Sequence, residues 1–266
     1  MVNNTQIENR IAVAKRAVLA EAAMLHREFG RAKAHLKHDG TKVTPVDVAI
    51  SENIQRALAA EFPADQFFSE ELAPSEKPVP VTSRHCWLLD PVDGTNNYAS
   101  GIIYVAISLA LLEDGVPVYG VIYDLSRRTL VHGGPGRGVW ENDTPARASQ
   151  APPDGQSLIG FHSPVEKVYA AQGKRLIENF KIRGLGSSAL HLAYCATGHL
   201  DGVVEHNNRV WDIAAAAAMI GEAGAELHYL NGSPFPLREF SVKSARVQYV
   251  AGNTAVCAKL RSILAG

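Results

Sequence analysis

The spacing of apolar residues near the start of the chain predicts two helices. Thr5-Gln6-Ile7-Glu8 has the capping-box pattern, and apolar positions then recur at helical spacing to about Gly30. A second helix is predicted to begin at Thr44-Pro45-Val46-Asp47, which places proline at the first helical position and an acid at the third. This helix should run to about Ala60. A pair of helices therefore precedes the first predicted strands.

Short apolar runs then predict a set of strands. Residues 66–69 and 86–89 are short apolar runs that predict buried strands. Three further runs, at 105–112, 116–124 and 129–133, are separated by short turn sequences. Runs joined in this way predict an antiparallel meander.

The second half of the chain alternates between strands and helices. Residues 144–155 hold three prolines and few large apolar side chains, and they predict a boundary between the halves 1–150 and 151–266 of one compact unit. Strands are predicted at 158–161, 181–183, 202–205, 226–229 and 247–251, and helices at 165–179, 188–197, 212–223 and 255–264. This alternation predicts an α/β (α+β) fold in which helices cover sheets.

Composition narrows the class of protein. The 266 residues are 46% apolar, which is enough for a large core, and Lys+Arg 26 against Asp+Glu 27 gives a net charge of −1. This balance argues against a strongly basic nucleic-acid coat and an acidic tail. The polar start and the absence of a bilayer-length apolar run argue against a signal peptide and a membrane span. Cys86, Cys195 and Cys257 are odd in number and widely spaced, so we expect no disulfide, no cysteine metal site and a cytoplasmic location.

The segment from Trp87 to Asn97 carries the clearest chemistry. An apolar run leads to Asp90, and Asp93 follows three residues later, so the two carboxylates can converge on one cation. The Val92 carbonyl can face the same point if the ladder is interrupted there. Oxygen ligands of this kind suit a hard cation such as Mg²⁺.

The residues that follow can bind an anion. If a helix begins here, the N–H groups of Gly94, Thr95 and Asn96 form a phosphate cradle at its positive end. Metal ligands and anion donors side by side are what metal-assisted hydrolysis of a phosphate ester requires. The alternative interpretation is a common Asp-Pro/Asp-Gly turn capped by threonine.

Three other acidic positions are ambiguous when each is taken alone. Glu70-Glu71 follows a predicted strand, and because adjacent side chains point to opposite sides, only one of the two could serve a given metal. Asp212 follows Trp211 at the start of an alanine-rich helix, where capping is the commoner use of an aspartate. Asp47 has the same alternative in the first turn of its helix.

Taken together, these positions resemble the inositol monophosphatase family of Mg²⁺-dependent, lithium-sensitive phosphatases. Its first signature, Trp-x-x-Asp-Pro-x-Asp-Gly-Thr-x-Asn, is matched at every fixed position from Trp87 to Asn97. Its second signature, Trp-Asp-x-Ala followed by Glu-Ala-Gly, is matched by Trp211-Asp212, Ala214 and Glu222-Ala223-Gly224. The resemblance implies a layered αβαβα sandwich of the inositol monophosphatase/fructose-1,6-bisphosphatase type, commonly a homodimer.

The resemblance also implies a role for each site residue. Two or three Mg²⁺ ions would be held by Glu70, Asp90, the Val92 carbonyl, Asp93 and Asp212. The catalytic residues would be Asp47, Thr95 and Glu70, with Thr95 and Asp47 orienting and deprotonating the attacking water. The substrate would be bound by Asp93, Gly94, Thr95, Asn96, Gly186, Ser187, Ser188, Glu205 and Asp212. The family's usual Gly-Glu-Glu is Ser69-Glu70-Glu71 here, and Ser188 replaces the alanine of many members.

The function implied by the resemblance is Mg²⁺-dependent hydrolysis of a small sugar or polyol phosphate, with myo-inositol monophosphate as the first candidate. A carboxylate at Glu205 favours a polyol because it accepts hydrogen bonds from hydroxyls. The same chemistry on fructose 1,6-bisphosphate, histidinol phosphate, a 3′-phosphoadenosine nucleotide or NADP stays open. A catalytically silent binding member of the fold is the second alternative. Neither a membrane nor a nucleic-acid partner is expected.

Overall fold

The computed structural model describes residues 2–36, 42–72 and 77–265. Its helices are α1 (Val2–Glu28), α2 (Pro45–Glu61), α3 (Thr95–Ser100), α4 (Ala170–Asn179), α5 (Ser188–Ala196), α6 (Val210–Ile220) and α7 (Thr254–Ala265), and a 3₁₀ turn at Lys167–Tyr169 precedes α4. Among these described residues, no helix has both the length and the apolar character needed to cross a membrane.

The strands of the first half are β1 (His35–Leu36), β2 (Lys42–Val43), β3 (Gln66–Ser69), β4 (Val79–Pro80), β5 (His85–Asp93), β6 (Ala106–Glu113), β7 (Val116–Asp124), β8 (Thr129–Gly133), β9 (Val139–Glu141) and β10 (Thr144–Ala146). Those of the second half are β11 (Leu158–Phe161), β12 (Lys181–Arg183), β13 (Gly202–Asn208), β14 (Glu226–Tyr229), β15 (Glu239–Phe240) and β16 (Val247–Gly252).

Two large sheets organise the described residues. The first has the strand order β10-β9-β8-β7-β6-β5-β3, in which β3 and β5 are parallel and the remaining neighbours are antiparallel. The second has the order β12-β11-β13-β16-β14, in which β11 is parallel to both of its neighbours. The short strand β4 pairs with β15, which links the two halves of the chain.

Three apolar clusters show how the sheets are covered. Alternate residues of β5 face opposite ways: Trp87 and Leu89 pack towards α1 and α2, whereas Cys86 and Leu88 pack towards α5 and α6. The outer face of the second sheet packs on α4 and α7. The order of layers is therefore helix, sheet, helix, sheet, helix, which confirms the αβαβα expectation. Because β5 is buried on both faces, its apolar run is continuous rather than alternating.

The alanine-rich helix α6 lies unusually close to the first sheet. A Cβ atom on Gly120 of β7 would lie 1.9 Å from the carbonyl oxygen of Ala215, so only glycine fits at this position. Small side chains on the helix and glycine on the strand together allow this approach. The close packing fixes the start of α6, and therefore Asp212, relative to β5, β6 and β7.

Most predicted elements are confirmed, with corrections at their ends. The strands at 66–69 and 226–229 and the three-stranded meander are present. Helix α1 already begins at Val2, so the capping-box pattern at Thr5 lies inside the helix and the predicted start is wrong. The predicted helix at 165–179 begins only at Lys167, as a 3₁₀ turn.

The other corrections concern α6 and the predicted boundary. Helix α6 spans Val210–Ile220 rather than 212–223. The segment 144–155 begins with β10, which pairs with β9 at the edge of the first sheet. The division at residue 150 stays a prediction.

Candidate active site

Acidic residues from four elements meet where strand ends and helix starts lie together. Glu70 follows the end of β3, and Asp90 and Asp93 lie near the end of β5. Asp47 and Asp212 lie in the first turns of α2 and α6. The β5–β6 register shifts between Asp90 and Asp93, so the chain between them leaves the regular ladder. Val92 lies within this irregularity, outside the regular ladder, and its carbonyl accepts the Thr95 hydroxyl instead.

Three carboxylates form the centre of the site. Asp90, Asp93 and Asp212 each present an oxygen, and these oxygens lie within 4.8 Å of one another. Asp90 and Asp93 are buried, while Asp212 is partly buried. Glu70 lies close enough for its charge to act on both Asp90 and Asp212. The structure therefore brings three of the four predicted metal-ligating side chains to one point, with Glu70 near them.

Burial and mutual repulsion make this cluster unfavourable for negative charge. Burial, followed by the charges of Asp93 and Glu70, raises the pKa of Asp90 well above its ordinary value. Burial and the charge of Asp93 raise the pKa of Asp212 in the same way. Burial also raises the pKa of Asp93, to about 6, although hydrogen bonds partly offset it. A hard divalent cation would relieve this repulsion, and an all-oxygen donor set is what such a cation prefers, so these residues fit one.

Asp47 combines a structural role with contact to the site. Its Oδ2 accepts hydrogen bonds from the backbone N–H of Thr44 (2.9 Å) and from the Thr44 hydroxyl (2.5 Å), which caps α2. Its Oδ1 lies 3.2 Å from the Thr95 hydroxyl, which also lies 2.9 Å from the Val92 carbonyl. Burial raises the pKa of Asp47 despite these hydrogen bonds. Asp47 can therefore cap α2 with one carboxylate oxygen and contact Thr95 with the other.

Asp212 is arranged in the same way. Its Oδ2 accepts the backbone N–H of Arg209 at 2.7 Å, which satisfies a donor at the start of α6. Its carboxylate also belongs to the central cluster. The start of a helix is a favourable place for such an anion because the free N–H groups carry partial positive charge.

Helix α3 begins next to this cluster, as the sequence suggested. Gly94 precedes it with φ 92°, and a Cβ there would lie 2.9 Å from the carbonyl oxygen of Tyr104 and 3.1 Å from that of Gly186. Both the backbone conformation and the lack of space require glycine. The first N–H groups of a helix have no partner within the helix. Thr95 and Asn96, in the first turn of α3, are therefore placed as the cradle hypothesis requires.

The loop before α5 is joined to Asp93. The Ser187 hydroxyl donates to Asp93 Oδ2, and the Ala189 N–H donates to the same oxygen at 2.7 Å. The Ser188 hydroxyl donates instead to the Asn208 side chain at 2.9 Å. The predicted substrate residues Ser187 and Ser188 thus lie at the site, with their hydroxyls engaged in orienting other side chains.

Asn97 is a site residue that sequence reasoning overlooked. Its side-chain amide donates to the carbonyls of Tyr104 (2.8 Å) and Leu185 (2.7 Å). A Cβ on Gly186 would lie 2.8 Å from this amide, so glycine is again required. Asn97 therefore ties α3 to the loop before α5. Its place as the last fixed position of the first signature was the available signal.

Two histidines at Glu205 also belong to the site, and no spacing or motif in the sequence distinguishes them among the ten histidines. Nε2 of His191 accepts the Leu185 N–H (3.0 Å), so Nδ1 carries the proton and donates to Glu205 Oε1 (2.6 Å). His162 Nδ1 lies 3.2 Å from Glu205 Oε2, an ion-pair distance without the alignment of a hydrogen bond. Burial raises the pKa of Glu205, but the two imidazoles more than offset it and hold it below its ordinary value.

Comparison with known proteins agrees with this geometry. A model of the inositol monophosphatase family matches residues 6–264. Inositol monophosphatase 1 of Solanum lycopersicum is 31% identical over 258 residues, covering 93% of this chain and 92% of that protein. Nus factor SuhB of Xylella fastidiosa is 35% identical over 187 residues, covering 68% of each. The crystal structure of extragenic suppressor protein suhB from Bartonella henselae gives a TM-score of 0.84 at 29% identity, covering 96% of this chain and 98% of that one.

Replacing Asp212 with asparagine tests the charge balance of the cluster. Asp212→Asn keeps an oxygen that can accept the Arg209 N–H but removes one repelling charge. We expect the metal-free variant to melt about 2–4 °C above the wild type, and the rise in Tm that Mg²⁺ gives the wild type to be lost. Thermal unfolding with and without Mg²⁺ measures both. Asp143→Asn, at an exposed position, is the control and should change neither the metal-free Tm nor the rise in Tm with Mg²⁺. If Mg²⁺ raised the Tm of Asp212→Asn as much as that of the wild type, Asp212 would not be a metal ligand.

Removing the Asn97 amide tests its role as a tie between α3 and the loop before α5. Asn97→Ala leaves two carbonyls without their donor, and we expect the free energy of unfolding to fall by about 1–3 kcal/mol in urea titrations. The control is Asn179→Ala, whose exposed amide donates to the Arg175 carbonyl within the same helix; it should change the free energy of unfolding by less than about 0.5 kcal/mol. Equal effects of the two substitutions would show that Asn97 does not have this role.

Proposed function

Because the chain belongs to the inositol monophosphatase family and is a phosphoric monoester hydrolase, we propose that it carries out Mg²⁺-dependent hydrolysis of a small polyol phosphate. Myo-inositol monophosphate is the first substrate to test. The observation that carries the proposal is the meeting of Asp90, Asp93 and Asp212 beside the start of α3. We also propose inhibition by lithium, which is typical of the family.

The proposed metal ligands are the residues whose oxygens converge at this point. They are Glu70, Asp90, Asp93, Asp212 and the carbonyl of Val92, and they would hold two or three Mg²⁺ ions. When bound, Mg²⁺ supplies activation of the attacking water and neutralises charge on the phosphoryl group. The repulsion between the carboxylates supports this assignment, because a divalent cation between them would relieve it.

The Thr95–Asp47 pair is proposed to handle the proton of the attacking water. Thr95 would accept a hydrogen bond from the water while its own hydroxyl donates to Asp47 Oδ1, 3.2 Å away. A buried carboxylate with a raised pKa is a better proton acceptor than an exposed one. Glu70, at the end of β3, would complete the catalytic set by orienting the same water. In-line attack on a phosphate ester then needs no covalent step on the protein.

Backbone groups are proposed to bind the phosphate. The N–H groups of Gly94, Thr95 and Asn96 would donate to its oxygens at the start of α3, where the lack of a Cβ on Gly94 allows close approach. On the other side of the cluster, the alcohol portion would meet the loop before α5 and the end of β13. The residues proposed to contact it are Asp93, Gly186, Ser187, Ser188, Glu205 and Asp212.

Two alternatives remain beside the polyol phosphate. The same chemistry could act on fructose 1,6-bisphosphate, histidinol phosphate, a 3′-phosphoadenosine nucleotide or NADP. A non-enzymatic binding role is suggested by the Xylella fastidiosa relative, which is named a Nus factor. The complete acidic set of this chain favours an enzyme, because a silent member has no need to hold repelling carboxylates together.

Phosphate release from a panel of esters tests the proposed reaction. We expect the wild type to hydrolyse myo-inositol 1-phosphate in the presence of Mg²⁺, and phosphate release to stop when the metal is chelated. Asp93→Asn removes a ligand charge without changing volume, so activity should fall by about a hundredfold or more while circular dichroism shows a folded protein. Asp143→Asn should keep wild-type activity. A folded wild type that hydrolyses no ester of the panel with Mg²⁺ would overturn the proposal.

We further propose a cytoplasmic homodimer. The three cysteines are buried and unpaired, which supports a reducing compartment. After α3, Ile102, Ile103 and Tyr104 are 49%, 45% and 38% exposed, and three consecutive exposed apolar residues are unusual on a free surface. A second copy of this chain is the partner we propose for them.

A charge in this apolar segment should weaken the dimer. We expect Ile103→Asp to raise the dimer dissociation constant by about tenfold or more in sedimentation equilibrium, because a buried unpaired charge is costly. Val168→Asp is the control, since Val168 is 73% exposed on the turn before α4. A monomeric wild type, or equal weakening by both substitutions, would rule out this interface.

A further inference from the structure

A stack of aromatic rings lies at the end of the second sheet beside Glu205. The Tyr169 ring stacks on the His206 ring with centroids 4.0 Å apart and planes 15° apart. The His206 ring in turn meets the His162 ring edge to face at 5.3 Å. Strands β11 and β13 are parallel, with Phe161 beside Val204, so the next residues along, His162 and Glu205, are also neighbours. The stack therefore holds His162 against Glu205.

His162 completes the enclosure of the Glu205 carboxylate. His191 donates to Oε1 at 2.6 Å, and His162 Nδ1 lies 3.2 Å from Oε2. Glu205 is 0% exposed, and the His162 side chain is 11% exposed. A substrate hydroxyl cannot reach Glu205 in this arrangement unless His162 moves aside.

The closed arrangement leaves polar atoms unsatisfied. Within the described ranges, both ring nitrogens of His162, both of His206 and Oε2 of Glu205 are buried without a hydrogen-bond partner. Buried groups of this kind are rare and cost free energy, so their clustering needs an explanation. A substrate hydroxyl could donate a hydrogen bond to Oε2 of Glu205, which His162 approaches without forming one.

The enclosed carboxylate lies close to the metal-binding cluster. Only the end of β13 and the first turn of α6 separate Glu205 from Asp212. Helix α5 contacts the carboxylates of both Asp93 and Glu205, because the Ala189 N–H in its first turn donates to Asp93 (2.7 Å) and His191, two residues later, donates to Glu205 (2.6 Å). The alcohol portion of an ester bound at the cluster would thus be near Glu205.

We propose that His162 is a specificity-determining residue, which covers Glu205 and competes with the hydroxyls of a polyol phosphate for that carboxylate. The inference rests on the proposed phosphatase function and on the role proposed there for Glu205. An ester rich in hydroxyls gains the Glu205 contact only by displacing the imidazole. An ester whose alcohol portion carries no further hydroxyl cannot contact Glu205 in this way, so its affinity should not depend on His162. His162 therefore lowers the enzyme's preference for polyols.

Steady-state kinetics of matched variants tests this competition. His162→Ala uncovers Glu205, His162→Gln keeps an N–H that can cover it, and His199→Ala removes a surface histidine that pairs with Glu141. We expect His162→Ala to lower KM for myo-inositol 1-phosphate by about tenfold or more, as one hydrogen bond to a charged group would. KM for p-nitrophenyl phosphate should stay within about twofold, and His162→Gln and His199→Ala should resemble the wild type.

Other results would overturn the inference. An unchanged or higher KM for myo-inositol 1-phosphate in His162→Ala would show that His162 does not compete for Glu205. If His162→Ala changed KM for both esters equally, His162 would have a structural role only. The same conclusion would follow if His199→Ala changed KM as much as His162→Ala.

A binding measurement separates this inference from the proposed function. Calorimetric titration of myo-inositol 1-phosphate with Ca²⁺ in place of Mg²⁺ reports affinity without turnover. Tighter binding by His162→Ala than by the wild type supports the inference even if neither protein hydrolyses the ester. Equal or weaker binding rejects it even if hydrolysis is observed.

Discussion

The structure depends on holding together carboxylates that repel one another. Asp90, Asp93 and Asp212 lie within 4.8 Å in a buried setting that disfavours negative charge. The fold supplies fixed donors around them: the Ala189 N–H and Ser187 hydroxyl on Asp93, and the Arg209 N–H on Asp212. These donors lie at the starts of α5 and α6. The two helices form the middle helical layer, which packs against β5. The layered architecture thus sets the distance between the charges.

Several of these acids serve the fold and the site at once. One oxygen of Asp47 caps α2 while the other meets Thr95, and one oxygen of Asp212 accepts an N–H at the start of α6 while its carboxylate joins the cluster. The capping interpretation and the ligand interpretation were opposed when only the sequence was considered. The geometry makes them compatible, because a first-turn carboxylate has two oxygens and the cap occupies only one. Capping also limits side-chain rotation and so aims the second oxygen.

The sequence predicts helices, strands and motifs that depend on neighbouring residues. It does not predict contacts that depend on how segments far apart in the chain pair with each other. The strand at Gln66–Ser69 and the helix at Pro45 follow from an apolar run and a proline-led cap. The three central aspartates follow from two signatures. The pairing of Val79–Pro80 with Glu239–Phe240 joins segments far apart in the chain and too short to show a pattern. The contact of His162 with Glu205 depends likewise on the register of β11 against β13.

The two sides of the site are therefore under different physical control. On the metal side, repulsion and burial leave little freedom, because moving one carboxylate changes the charge felt by the others. On the side proposed for the alcohol, the Glu205 carboxylate is enclosed by the imidazoles of His162, which follows β11, and of His191, which lies on α5. Replacing one of these neighbours would alter access to that carboxylate without changing the acidic cluster. A single scaffold can then keep one hydrolytic chemistry while the range of accepted alcohols shifts.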